Sequence, residues 1–283
     1  MKLYLSTAPH IRSEADTHVL MRDVLIALLP TTAAGIYYFG LSAAMVIAVS
    51  IVSCVLFEYL WQRITKQPVR IYDLSAAVTG LILGLNLPST APWWMPVVGA
   101  LLAIVITKQL FGGIGDNFLN PALLARAVLL ASWPARMTGA TAYALPTCWS
   151  GADAVTSATP LAGYEASTLD LFLGNIPGSI GEVCKAAILI GLIYLLVRKV
   201  ITFGAVFMAT DYTTSPMNPR GQFIYAALCG ILVCVIRNFG AYPEGVTYAI
   251  LIGNIVTPLI DKYDKPRLYG RLKEQKKEGT VNA

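Results

Sequence analysis

One polar stretch, residues 153–159, holds the side chains best suited to covalent chemistry. It reads Asp-Ala-Val-Thr-Ser-Ala-Thr and ends in the hydroxyl of Thr159. A phosphoester on Thr159 requires a hydroxyl that a transferase can reach, and the small neighbours Ser157 and Ala158 leave room for one. Asp153 offers a carboxylate for the Mg²⁺ that accompanies phosphate chemistry. Composition alone fits an ordinary exposed turn rich in Ser and Thr equally well.

The spacing within this stretch resembles the flavinylation motif. That motif places an acidic residue, two variable positions, Ser or Thr, a small residue, Ala and the acceptor Thr in succession. Every element is present here: Asp153, Thr156, Ser157, Ala158 and Thr159. The resemblance implies that FMN is esterified through its phosphate to Thr159. A flavin fixed to the chain would serve electron transfer, because the cofactor carries the redox chemistry and the protein positions it.

The elements that must position this stretch are membrane helices. The chain is 56% hydrophobic and 13% charged, with a mean hydropathy of +0.62, whereas soluble domains carry about 25% charged residues. Eight apolar blocks are predicted to span the membrane as helices: 20–39, 42–60, 72–87, 95–109, 119–133, 182–198, 221–239 and 244–262. The net charge of +5 comes from basic residues beside these blocks. That placement is typical of orientation signals and not of a nucleic-acid partner.

The positions of the basic residues predict the orientation of the blocks. Those assigned to the cytoplasm are Arg22, Arg63, Lys66, Arg70, Lys108, Arg198, Lys199, Arg220 and the tail. The protein is then predicted to lie in a bacterial cytoplasmic (inner) membrane with both termini on the cytoplasmic side. Trp93, Trp94 and Trp133 lie at the outer interface. The chain divides into an N-terminal transmembrane half, an extracytoplasmic loop with the flavinylation stretch, a C-terminal transmembrane half and a basic cytoplasmic tail. Their ranges are 1–133, 134–181, 182–263 and 264–283.

The charge pattern fails at one place. Lys199 and Arg220 both belong inside, so the chain must cross the membrane twice between them. Only about a dozen apolar residues lie there, whereas one crossing takes ~20. Either this segment is re-entrant, or the chain lacks a helical hairpin near residue 203. We favour the second interpretation, since the sequence Thr202-Phe203-Gly204 looks like a junction at which a segment is missing.

A weak internal repeat predicts a duplicated fold. Residues 116–121 open one apolar helix, and residues 211–219 open another about a hundred residues later. In both, an Asn can cap the helix and a Pro occupies its first turn. Helix N-termini at membrane depth suit anions and dipolar ligands. An ordinary loop-to-helix junction would show the same residues.

Several polar side chains in or near the predicted spans are candidates for a ligand site, because such groups are costly in a membrane. They are Asp73, Asp116, Asn117, Asn120, Arg126, Asp211, Thr214 and Asn254. The three aspartates could instead be helix caps at the interface. Arg126 must pair, snorkel or face a ligand if its block spans the membrane. The five cysteines form no CxxC pair, which disfavours an iron–sulfur cluster held by this chain alone.

Across its length the chain resembles the family of the D subunit of the Rnf electron-transport complex and the B subunit of the sodium-pumping NADH:quinone oxidoreductase. The residues that carry the resemblance are 6–11, 73–81, 112–117, 120–122, 153–159 and 208–216. It implies an all-α polytopic fold of ten transmembrane helices in two inverted five-helix repeats. It also implies FMN on Thr159 and a non-covalent riboflavin among the helices, where Asn120, Arg126, Asp211 and Thr214 are the candidate contacts.

The resemblance implies an activity and partners as well. The chain would carry flavins in a complex that couples electron flow between ferredoxin and NAD to Na⁺ or H⁺ translocation. Its partners would be the other subunits of the complex, including a second FMN-bearing one, and a flavin transferase during maturation. No catalytic side chain and no metal site is predicted. A secondary transporter or a structural scaffold of a respiratory complex would show similar broken helices, but neither needs a flavinylation stretch.

Overall fold

The computed structural model describes residues 17–117, 119–138, 142–146, 167–198, 216, 218–239 and 245–263. Regular structure within these ranges is helical, which confirms the all-α prediction. The flavinylation stretch and the segment around residue 203 lie outside the described residues.

The helices begin and end close to the predicted blocks. They are α1 Thr17–Ile64, α2 Ser75–Leu85, α3 Trp94–Ala100 with a π-helical continuation Leu101–Gln109, α4 Pro121–Ser132, α5 Pro134–Met137, α6 Thr168–Leu173, α7 Lys185–Val197, α8 Pro219–Phe239 and α9 Gly245–Tyr263. By length and apolar content, one described helix, α1, meets the requirements for crossing a membrane.

Helix α1 is two helices joined at Gly40. This residue has φ +68° and ψ −149°, a region that glycine alone occupies readily. Residues far apart on α1 meet the same short helix: Val24 lines a cavity beside α2, and Ser50 Oγ donates to the Gly80 carbonyl of α2 at 2.7 Å. A straight helix would separate Val24 from Ser50 by roughly 39 Å, whereas the 11 residues of α2 span only about 16 Å. The chain therefore turns back at Gly40.

The two arms of α1 correspond to the first two predicted spans. They cover residues 17–39 and 41–64, and each is roughly 35 Å long at 1.5 Å per residue. That length matches a hydrocarbon core of about 30 Å. The arms thus form a helical hairpin, and the 48-residue helix is not a single rod.

Helices α2, α3 and α7 pack against this hairpin, and the other helices pack on these or on one another. Helix α2 lies against α1, α7 contacts α1, and α9 packs on both α8 and α4. Glycines permit the closest approach, because a Cβ on Gly80 would lie 2.7 Å from Ile51 Cα and one on Gly84 would lie 3.0 Å from Ile47 Cα. Helix α2 and the second arm therefore touch backbone to backbone, as small residues allow membrane helices to do.

Contacts between helix ends fall on two opposite sides. On one side, Arg198 at the end of α7 donates through Nε to Asp23 Oδ2 near the start of α1, at 3.1 Å. Helices α3 and α4 have their tryptophan ends on the other side, where the rings of Trp94 and Trp133 meet edge to face with centroids 5.1 Å apart. The Arg136 guanidinium lies 5.9 Å from the Trp94 ring centroid. This arrangement agrees with the predicted grouping of the tryptophans at one interface.

The end of the predicted outer loop, 134–181, packs among the helices. Ile176 and Ile180 are 5% and 1% exposed, and the Gly181 N–H donates to the Leu85 carbonyl at 2.8 Å. A Cβ on Gly181 would lie 2.8 Å from the Leu85 side chain, so this approach needs glycine. The segment therefore packs against the end of α2; irregular backbone within a membrane protein is tolerated where protein surrounds it.

Candidate functional site

Helix α4 carries the described part of the predicted flavin site. Asn120 precedes its first residue and Arg126 lies at its middle, and they are 3% and 4% exposed. The other predicted site residues lie outside the described residues: Asp153, Thr156, Ser157, Ala158, Thr159, Asp211 and Thr214.

Asn120 caps α4, as the Asn-Pro pattern predicts. Its Oδ1 accepts from the Leu123 N–H at 3.1 Å, and Pro121 occupies the first turn. Oriented to satisfy its neighbours, the Asn254 amide accepts from the Asn120 N–H at 3.2 Å and donates to the Tyr225 hydroxyl. The N-terminus of α4 is thereby fastened to α8 and α9, where Asn254 and Tyr225 are 2% and 1% exposed.

Arg126 is a buried charge that pairs within the chain. Its Nη1 donates to Asn86 Oδ1 at 2.6 Å and to Glu182 Oε1 at 3.4 Å. The Glu182 side chain is 63% exposed, whereas that of Arg126 is 4% exposed. The guanidinium therefore bridges the end of α2 and the segment before α7, so of the three predicted alternatives, pairing is the one observed.

A cavity of about 290 Å³ lies beside this bridge, between the first arm of α1, α2 and α7. Its lining is mostly apolar and includes Leu28, Ile82 and Leu192. Asn86 and Glu182, the two partners of Arg126, supply polar groups to the same wall. A slot of this kind could hold an amphipathic molecule through apolar contacts and orient it by one or two hydrogen bonds.

A second buried cluster is centred on Glu58, which was not among the residues predicted from the sequence. Lys108 Nζ donates to both Glu58 oxygens, at 2.8 and 3.1 Å, and Gln109 Nε2 donates to Oε1 at 2.7 Å. The side chains of Lys108 and Glu58 are 4% and 1% exposed. Lys108 therefore ends the helix as predicted and neutralises a buried carboxylate, while its location on the cytoplasmic side stays a prediction. The sequence contains one indication that Glu58 is buried, because Cys54, Glu58 and Gln62 are spaced by four and share one helix face. All three are buried in the structure.

The same cluster reaches the start of α2. Lys108 Nζ also donates to Ser75 Oγ. The backbone N–H and the hydroxyl of Ser75 donate to Asp73 Oδ1 at 2.9 and 2.7 Å. Asp73 thus serves the first turn of α2, which supports the helix-end interpretation of this residue over a ligand contact.

The described cysteines form no bridge among themselves. Cys54, Cys184, Cys229 and Cys234 are free thiols, and Cys148 lies outside the described residues. Among the residues that the structure describes, no group of three or more His, Cys, Asp or Glu side chains could hold a metal ion.

Comparison with known proteins confirms the resemblance drawn from the sequence motifs. The model of the NQR2, RnfD, RnfE family matches residues 4–203 and residues 201–270. The chain is 44% identical to the D subunit of the Na(+)-translocating ferredoxin:NAD(+) oxidoreductase complex of Acetobacterium woodii, over 98% of each chain. It is 36% identical to the D subunit of the proton-translocating ferredoxin:NAD(+) oxidoreductase complex of Clostridium ljungdahlii, over 94% of this chain and 96% of the relative. With the D subunit of the ion-translocating oxidoreductase complex of Yersinia enterocolitica the identity is 32%, over 97% and 100%.

The family match divides where the charge pattern fails. Its two ranges meet at residues 201–203. The alignment with the Acetobacterium woodii protein has 317 positions but includes only 98% of the 283 residues, about 277. Roughly 40 of the 317 aligned positions therefore have no residue in this chain. Apart from this interruption the match runs nearly end to end, and the chain belongs to the NQR2, RnfD, RnfE family.

Proposed function

We propose that the chain is the flavin-carrying membrane subunit of an ion-translocating ferredoxin:NAD oxidoreductase complex. The observation that carries this proposal is the nearly full-length match to D subunits of such complexes from Acetobacterium woodii and Clostridium ljungdahlii. The other subunits of the complex are then its partners, and the bacterial cytoplasmic membrane is its location. The protein holds flavins in position and leaves the redox chemistry to them.

The covalent flavin is FMN on Thr159. The flavinylation stretch supports this assignment. Thr159 lies eight residues before Ser167, and eight extended residues span at most ~28 Å. Helix α6 follows Ser167 and ends at Leu173, whose carbonyl accepts from the Tyr38 hydroxyl at 3.0 Å beside the α1 turn. The connection of Thr159 through α6 favours a location for the FMN on the side on which α1 turns back, which is the extracytoplasmic side of the predicted topology.

A second, non-covalent flavin, riboflavin, meets the N-terminus of α4. Asn120 stands at that terminus, and Arg126 supplies a buried positive charge on the same helix. A helix N-terminus favours the carbonyl-rich edge of a flavin ring. Asp211 and Thr214 belong to the second Asn-Pro helix start and complete the proposed set of contacts.

The chain lacks one helical hairpin that its relatives possess. Support comes from the divided family match and from the roughly 40 unmatched positions, which equal two crossings of about 20 residues each. With that hairpin restored, the fold would have ten helices in two inverted five-helix repeats.

In-gel fluorescence of the denatured protein tests the covalent flavin. The protein is expressed with an active flavin transferase and compared with Thr159→Ala and with the matched control Val155→Ala, which changes a variable position of the motif. We expect fluorescent bands from the wild type and the control, and a dark band of equal protein amount from Thr159→Ala. A dark wild-type band would favour the transporter or scaffold alternatives.

Mass spectrometry of the tryptic peptide 137–185 assigns the position of the flavin. Fragmentation should place the FMN mass on Thr159. The same mass on Thr156 or Ser157 would contradict the assignment while leaving a flavoprotein.

A further inference from the structure

The buried ion pair between Glu58 and Lys108 stands apart from the other ion pairs of the described residues. Both of its side chains are less than 5% exposed. By contrast, Arg198 in the pair with Asp23 is 46% exposed, and Glu182 in the pair with Arg126 is 63% exposed. Two opposite charges in apolar surroundings stay together, because separating them leaves each without a partner and without water. The Glu58–Lys108 pair is therefore a rigid junction between the second arm of α1 and the end of the π-helical segment.

This junction also holds a glycine-rich loop. The backbone carbonyls of Lys108 and Gln109, whose side chains both bind Glu58, accept from the N–H groups of Gly113 and Gly112 at 3.0 and 3.2 Å. Those two hydrogen bonds start the loop that runs from residue 110 to residue 117. The side chains of Lys108 and Gln109 thus fix the point at which the loop leaves the helix.

Glycines determine the path of the loop. Gly112, Gly113 and Gly115 have φ values of +114°, +104° and +102°, which are conformations that glycine adopts freely. Phe111 and Ile114 are 47% and 37% exposed. The hydrogen bonds to the carbonyls of Lys108 and Gln109 set the direction in which this path begins.

The far end of the loop leads into the capped start of α4. Asn117 donates from Nδ2 to the Leu119 carbonyl at 3.2 Å, and Asn120 caps the helix. The π-helical geometry continues to the beginning of the loop, where the Leu110 N–H donates to the Val105 carbonyl at 3.1 Å. Single-turn π-helical segments often occur at functional sites, and this longer one ends at the junction.

We propose that Glu58, Lys108 and Gln109 are positioning residues for the loop 110–117 and, through it, for the flavin-binding entrance of α4. They touch no cofactor themselves. Their ion pair and amide hydrogen bond fix the two carbonyls from which the loop starts, and the loop in turn determines the approach to Asn120. The part of this inference that concerns flavin rests on the proposed function, whereas the part that concerns the loop does not.

Hydrogen exchange of the full-length protein, read by mass spectrometry on peptides covering residues 110–117, tests the loop. The paired variant Glu58→Leu with Lys108→Met removes both charges together, a replacement that buried ion pairs often tolerate. We expect exchange of the loop amides to become roughly tenfold faster while the rest of the chain keeps its protection, because local opening then requires less free energy. The variant Gln109→Met keeps the ion pair and should accelerate exchange of the loop amides by a smaller factor, about threefold. If the paired variant does not fold, Gln109→Met alone tests the positioning role.

The matched control is Asp23→Asn with Arg198→Gln, which removes an ion pair that has no contact with the loop. It should leave exchange at residues 110–117 unchanged. Equal exchange of the loop in the wild type and in folded Glu58 and Gln109 variants would overturn the inference, as would an equal acceleration in the control.

Flavin content provides the second measurement. Non-covalent flavin, extracted by denaturation, should fall several-fold in the Glu58 and Lys108 paired variant, while in-gel fluorescence of covalent flavin stays constant. If both fall together, the variant acts through general misfolding and the positioning role is refuted. If the wild type yields no extractable flavin, the proposal of a riboflavin site fails, but the loop exchange still decides the positioning role.

Discussion

Replacing Gly80 with alanine should force α2 away from the second arm of α1. A Cβ at this position would lie 2.7 Å from Ile51 Cα, 2.9 Å from the Ser50 carbonyl oxygen and 3.1 Å from Cys54 Cβ. The two nearest atoms belong to the backbone and cannot rotate away. Carbon atoms in favourable contact are about 3.5–4.0 Å apart, so the helices must separate by roughly 1 Å.

The expected cost is about 1–3 kcal/mol. Overpacking of a tight interface by one methyl group typically costs about 1–3 kcal/mol. A separation of about 1 Å also breaks the 2.7 Å hydrogen bond from Ser50 Oγ to the Gly80 carbonyl, a loss of about 1 kcal/mol. The higher helix propensity of alanine offsets that loss by up to about 1 kcal/mol. At about 2–4 °C per kcal/mol for chains of this size, the melting temperature should fall by roughly 2–12 °C.

Fluorescence-detected size-exclusion chromatography of heated, detergent-solubilised protein measures this change. The matched control is Gly230→Ala on α8, where an added Cβ would meet no atom within 4 Å. The control should melt at the wild-type temperature or up to about 4 °C above it, because the higher helix propensity of alanine, up to about 1 kcal/mol, meets no clash there. If Gly80→Ala melts like the control, the backbone contact between α2 and the second arm does not carry the stability assigned to it.

Three other predictions follow from the site and the topology. Arg126→Gln should destabilise the protein by about 1–3 kcal/mol, because it removes the buried guanidinium that donates to the partly buried Asn86 oxygen. Glu182→Gln should cost less than about 1 kcal/mol, because Glu182 is largely exposed; equal melting temperatures for the two variants would contradict this. An impermeant maleimide should label Cys148 in right-side-out vesicles, with Cys148→Ser as the control, and labelling confined to inverted vesicles would reverse the topology. Intact-mass measurement and resequencing of the gene across residue 203 should show a continuous chain without the hairpin of its relatives, and roughly 40 extra residues there would refute the deletion.

The helices could be predicted from the sequence because membrane helices satisfy their backbone hydrogen bonds locally. Apolar blocks alone therefore located the arms of α1, and α7 begins three residues after the block predicted at 182–198. The cap at Asn120 was predicted for the same reason, since an N-cap and a first-turn proline act within one turn.

The polar pairs could not be predicted in the same way. Lys108 and Glu58 lie 50 positions apart, and neither local sequence predicts that the two side chains form an ion pair. A basic residue after an apolar block is most often an orientation signal, so Lys108 was assigned to the cytoplasmic side. The π-helical geometry before it has no compositional signature. The partners of Arg126 likewise come from two distant segments, and only the packing of α2 against the start of α7 brings them together.

The turn at Gly40 bears on how the chain enters the membrane during synthesis. No charged residue lies between Asp23 and Glu58, so in the predicted topology the part of the chain that is translocated is a tight uncharged turn. Moving such a turn through the hydrocarbon core avoids the cost of carrying a charged loop across. The first arm, when it emerges alone, would bury its apolar face only in lipid, and the second arm follows after a single residue. We therefore expect the two arms to insert together as one unit, with the basic residues after Ile64 holding both ends of the hairpin on the side where synthesis occurs.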